Sequence, residues 1–121
     1  MQLKQLVEIR TGLSLERKRG ATYDDFYKKY QAITLKSFGD DIYLTSDYLD
    51  EFIATEELNP QYLTSVGDII VRLRSPNKAV FITDGYQDLI FPAFMSILRI
   101  LDISKVDGEF LAYYLKLLFA V

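Results

Sequence analysis

The sequence predicts one domain of 121 residues that mixes strands with helices, of the α/β (α+β) class. Three observations predict it. Residues 66–84, VGDIIVRLRSPNKAVFITD, read as two β-strands joined by a tight polar connection. Residues 108–121, GEFLAYYLKLLFAV, are apolar at helical spacing. A chain that is 50% hydrophobic at this length buries a core of useful size, roughly two-thirds of its unfolded surface. Cysteine and histidine are both absent, which excludes disulfides, thiol catalysis and a conventional zinc site. No apolar run reaches the ~20 residues of a membrane span. The cytoplasm is therefore the default compartment, with no cofactor, metal or membrane partner expected.

Taken in order, residues 2–9 place Leu3, Leu6, Val7 and Ile9 on the stripe of a helix of about two turns, which Gly12 closes. Residues 14–20, SLERKRG, carry Arg17, Lys18 and Arg19 ahead of Gly20. Three consecutive cations cannot all face a core, so this is either a plain solvated loop or one that follows a phosphate backbone. Residues 23–30, YDDFYKKY, interleave Tyr23, Phe26, Tyr27 and Tyr30 with Lys28 and Lys29, as a helical turn or an irregular loop. Rings that stack and ammonium groups that meet phosphates suit nucleic acid; alternatively, Phe26 and Tyr30 anchor a long loop.

Residues 32–35 and 42–44 read as short strands. Residues 47–57 read as helix or extended loop, with Leu49, Phe52 and Ile53 sharing a face if helical. Their carboxylates have neither the cross-cleft convergence of an acid–base pair nor the spacing of a metal loop, so they read as solvated surface. In the central hairpin Arg72 and Arg74 lie two apart and share one strand face, opposite Val71 and Leu73. That face, ending in Asn77 and Lys78, is either ordinary solvated surface or a surface for phosphates and base edges. Residues 94–100 supply the last strand, with Arg99 near its exposed end. The closing helix, at about 107–120, is apolar nearly all round and must be buried. The domain wraps it, or it packs against another protein, or a second copy pairs with it through Tyr113, Leu117 and Phe119; pairing, as a C2 homodimer, is the preferred expectation.

Net charge is −3, which argues against a nucleic-acid footprint over the whole surface. The charge is divided, however. Up to residue 36 there are eight Lys or Arg against four Asp or Glu, and from 40 to 57 there are seven acidic residues and no basic one. A local basic face is therefore still available.

Four stretches in this order, LKQLVEIRTGLSL, VGDIIVRLRSPNKAVFI, FPAFMSILRI and GEFLAYYLKLL, resemble the target-recognition domain of the DNA-specificity (S) subunit of type I restriction–modification systems. The resemblance implies a curved, mostly antiparallel sheet with peripheral helices that reads one part of a bipartite double-stranded DNA target. It implies no enzymatic activity in this chain, since cleavage and methyl transfer belong to partner restriction (R) and methyltransferase (M) subunits. It also implies a half-size subunit that dimerises, or an isolated or truncated member, because a full subunit carries two such domains and a helical spacer. The family's opening falls on Leu3, Leu6, Ile9, Thr11 and Gly12, and its turn on Gly67, Asp68 and Ile69; both are expected to be structural. No family motif fixes the DNA-facing residues. Their chemistry alone nominates Arg17, Lys18, Arg19, Lys28, Lys29, Arg72, Arg74, Asn77 and Lys78. Arg74 and Asn77 suit the edges of guanine and adenine, and the lysines suit phosphates. The acidic run and the apolar helix motivate an alternative, a non-enzymatic assembly module whose DNA-binding surface has decayed.

Overall fold

The computed structural model describes residues 6–12, 28–39, 41–72 and 77–119. Six strands fall within them: β1 (Val7–Thr11), β2 (Lys28–Ala32), β3 (Asp50–Ala54), β4 (Ile69–Arg72), β5 (Lys78–Phe81) and β6 (Met95–Ile100). One α-helix, α1 (Gly108–Phe119), follows them. The strands form two separate antiparallel sheets, one ordered β1-β6-β4-β5 and one made of β2 and β3 alone. This corrects the single curved sheet with peripheral helices implied by the resemblance. Neither sheet is closed or strongly curved, and α1 is the one α-helix among the described residues. The physical reason lies at the edges. β4 already has β5 and β6 as neighbours, and the outer edge of β5 is met by Ile42, whose carbonyl accepts the Phe81 N–H at 2.6 Å. β2 and β3 are left to pair with each other.

Layering follows from the alternation of side chains. β4 reads Ile-Ile-Val-Arg, a near-continuous apolar run, because both its faces are covered. On one face Ile70 joins Val80, Met95 and Ile97 against Ile33, Phe38 and Leu44 from the segment after β2. On the other, Ile69, Val71 and Ala79 meet Ala112 of α1, with Leu111, Leu115 and Phe119 packed beside them. The small sheet closes its own cluster of Tyr30, Ala32, Phe52 and Ala54 against Leu58 and Ile90.

The two strands expected within 66–84, the last strand and the closing helix form where the sequence puts them, while the connection at residues 73–76 lies outside the described residues. Four segments differ. The helix expected over 2–9 is strand from Val7 onward, since β-branched Val7, Ile9 and Thr11 favour extended backbone, two turns of helix are marginal in isolation, and β6 offers a ladder. Residues 47–57 hold a short 3-10 turn (Ser46–Tyr48) and then β3, where Phe52 and Ala54 are buried and Ile53 is only half-buried. The strands expected over 32–35 and 42–44 shrink to the end of β2 and to an isolated bridge between Phe38 and Leu44.

The closing helix is not wrapped. Asp107 starts it, its Oδ1 accepting the Phe110 N–H at 3.1 Å. Gly108 lets it lie close to the sheet, because a Cβ there would sit 2.8 Å from both Ile100 Cδ1 and Phe81 Cε1. Leu111, Ala112, Leu115 and Phe119 face the sheet, so Phe119 belongs to the core and not to an outward pairing face. The outward face is nonetheless apolar: Phe110 is 69% exposed and Leu117 53%, with Tyr113, Tyr114 and Leu118 beside them.

Arg99 is not a solvent-facing strand end. Its Nε and one terminal amine donate to the two oxygens of Asp68 at 2.9 and 2.8 Å, and the same amine approaches the Leu63 carbonyl at 3.3 Å. Asp68 is buried and also accepts the Ser65 N–H at 2.8 Å, closing the turn in which Gly67 takes a φ of 95°. Removing either partner has unequal consequences. Arg99→Ala strands a buried carboxylate and should lower stability by about 3–5 kcal/mol. Asp68→Ala should cost about 1.5–3 kcal/mol, since the Arg99 side chain, 26% exposed, regains water. Denaturant unfolding of the two variants checks this order, and equal losses would contradict it.

Candidate nucleic-acid interface

Of the nine nominated residues, Lys28, Lys29, Arg72, Asn77 and Lys78 are described, while Arg17, Lys18, Arg19 and Arg74 lie outside the described residues. The registers settle which described positions share an end of the four-stranded sheet. Thr11 pairs with Ser96, Arg72 pairs with both Met95 and Lys78, and the Gly12 N–H donates to the Met95 carbonyl at 3.0 Å. Gly12, Arg72, Lys78 and Met95 therefore lie together at one end, with the Asp68–Arg99 pair at the other. The chain leaves this end at Gly12 for residues 13–27 and at Arg72 for residues 73–76. Gly12 is needed there, because a Cβ would collide with the carbonyls of Phe91 and Pro92.

Arg72 does not stand on an open strand face, as the alternation in the sequence suggests. Directly opposed residues project to the same side, so Arg72, Lys78 and Met95 share the face of Ile70, Val80 and Ile97. The Arg72 stem runs along apolar core and the residue is half-buried. Its Nε is buried without a hydrogen-bond partner among the described residues, an arrangement that typically costs about 1–3 kcal/mol. The Lys78 ammonium makes a long approach, 3.5 Å, to the Gly39 carbonyl. Asn77 is exposed at the mouth of the hairpin. Among the described residues no carboxylate forms an ion pair with Arg72 or Lys78.

Lys28 and Lys29 are elsewhere. They line a cleft of about 460 Å³ with Gln31, Leu63, Gln87 and Asp88. Leu63 leads toward the turn before β4, and its neighbour Thr64 bonds to Asp88 and Leu89. This cleft thus lies toward the Asp68–Arg99 end. Lys28 sits 5.0 Å from the centre of the Tyr30 ring, and Lys29 approaches Glu51 at 4.0 Å with both side chains more than half exposed. Tyr30 itself anchors the core, its hydroxyl accepting the Leu58 N–H at 3.1 Å. The structure therefore does not bring Lys28 and Lys29 together with Arg72 and Lys78. Hydrogen bonding to Asp68 raises the pKa of the Arg99 guanidinium, against the opposing effect of its burial.

A larger cleft, about 630 Å³, was not legible in advance. Leu35, Lys36, Tyr48, Asp50, Pro92 and Phe94 line much of it, and Pro92 ties it to the Gly12 end. The cation Lys36 and the rings Tyr48 and Phe94 come from different segments, so no local spacing marks them. No protein-family model matches the chain, and no curated protein matches it either.

The orphaned Nε has a measurable consequence. Arg72→Met keeps the apolar stem and removes a buried unpaired donor, so it should leave stability unchanged or raise it by up to about 1 kcal/mol. Lys29→Ala, at an exposed pair, should change stability by less than about 0.5 kcal/mol. Denaturant midpoints measure both, and a loss above ~1 kcal/mol in Arg72→Met would show that the guanidinium is structurally required.

Proposed function

We propose that this chain is a non-enzymatic, cytoplasmic DNA target-reading module of the type I restriction–modification kind, directing partner methyltransferase and nuclease subunits to a double-stranded site. The shared end of the four-stranded sheet carries the reading. Two cation-bearing segments, 13–27 and 73–76, depart from it, and the cations Arg72 and Lys78 sit on it without carboxylate partners among the described residues. A rigid sheet end is a common mount for a recognition surface. The ordered motifs around Gly12, Gly67–Asp68 and α1 also favour it, with Gly12 and Asp68 in structural roles. In this proposal Arg17, Lys18 and Arg19 meet phosphates, while Arg74 and Asn77 read base edges. The test is selection from a double-stranded DNA library at low salt, with and without the methyltransferase subunit. The proposal expects one sequence class to be enriched. Asn77→Ala should alter preference at one position by ~1–3 kcal/mol, whereas charge reversal at Arg17, Lys18 and Arg19 should weaken all sequences alike. No enrichment under either condition would contradict it.

One observation favours a second reading, that of an assembly module. The outward face of α1 presents Phe110, Tyr113, Tyr114, Leu117 and Leu118 to solvent, and contiguous apolar surface of this kind marks a protein contact. A second copy related by C2 symmetry is the simplest occupant. Sedimentation at micromolar concentration should then show a pair that Leu117→Glu returns to single chains. A single chain that Leu117→Glu leaves unchanged would contradict this reading.

A further inference from the structure

We propose that Arg72 and Lys78 together form a binding site for a phosphate group. They are opposed across the β4–β5 ladder, which brings their Cβ atoms to roughly 4.5–5.5 Å, and like charges so placed repel unless an anion lies between them. No described carboxylate supplies that anion. Asp41, on the segment beside β5, has one oxygen engaged with the Tyr43 N–H at 2.9 Å.

The side chains fit the role. A guanidinium presents a planar fork that matches two phosphate oxygens, and an ammonium adds a compact third contact. The buried Nε of Arg72 makes no hydrogen bond among the described residues, so turning the fork toward a ligand breaks none there. Among the described residues the Lys78 ammonium has one hydrogen-bond approach, the long one to the Gly39 carbonyl, and an ammonium carries three donors. Asn77, exposed and adjacent in sequence, can supply a neutral amide donor at the rim. The site deepens the DNA-reading proposal, on which it rests only for the source of the phosphate: the backbone of a duplex or a free phosphate compound.

The experiment measures thermal unfolding of the full chain in inorganic phosphate against chloride at matched ionic strength, beside binding of a mixed-sequence duplex at low salt. A rise in midpoint of roughly 3–6 °C is expected once phosphate is about five times its Kd, growing with the logarithm of concentration beyond that. Most of that rise should vanish in Arg72→Met and in Lys78→Gln, and persist in Lys29→Gln. The general stabilising effect of phosphate on proteins acts on all variants alike, so equal rises in every variant, or no rise in the parent chain, would overturn the site. Lys78 lies at the sheet edge and half-exposed, which keeps the test decisive if Arg72→Met alters folding. A roughly tenfold loss of duplex affinity in Lys78→Gln identifies the DNA backbone as the source and supports both proposals. Phosphate protection with unchanged duplex affinity supports the site with a free phosphate compound, and counts against DNA reading at this end.

Discussion

The interaction on which the rest of the structure depends is the bidentate pair between Arg99 of β6 and the buried Asp68 ahead of β4. A strand register can slip by one residue, and each slip turns every side chain to the wrong face. β6 is the central constraint, because it pairs with β1 on one side and β4 on the other. Its own face residues, Met95 and Ile97 on one side and Leu98 on the other, are all apolar and give a slipped register only a modest penalty. The Arg99–Asp68 pair adds a directional one. Moving β4 by one residue would pull a buried carboxylate away from its guanidinium.

That lock at one end determines the other. With the register fixed, Arg72 must face Lys78 and Met95, and Gly12 must reach the Met95 carbonyl. The two ends of the sheet then differ in chemistry. At one, a cation is fully engaged by a carboxylate. At the other, two cations lie opposite each other on an apolar floor, with no carboxylate partner among the described residues. Retaining charge without a partner lowers stability, and proteins tolerate such costs mainly where a ligand supplies what is missing. This contrast gives the DNA-reading proposal a physical location, independent of motif resemblance. It also separates Lys28 and Lys29, whose cleft lies toward the other end.

Much of this was legible in the sequence, and the failures have identifiable causes. The hairpin was readable because Gly67-Asp68 and Pro76-Asn77 bracket β-branched runs, and α1 because its periodicity extends over three turns. The helix expected at residues 2–9 failed because an apolar stripe in so short a segment fits a strand equally well, and only the partner strand β6 decides. β3 was obscured by acidic residues, which mark an exposed face without fixing the backbone. The pairing of Arg99 with Asp68 spans 31 residues, and the cleft around Lys36 and Tyr48 joins three segments; neither leaves a local pattern. Phe119 faces the sheet and not outward, which was not legible because a helix apolar on every side gives no indication of which side meets the sheet.

The central claim is that DNA meets the end of the sheet opposite Asp68 and Arg99. Backbone amide shift mapping of the full chain, titrated with a mixed-sequence duplex at low salt, tests it most directly. The largest shifts should fall at Gly12, Arg72, Asn77, Lys78 and Met95. Shifts confined to the outward face of α1, or to the cleft lined by Lys28 and Lys29, would contradict it.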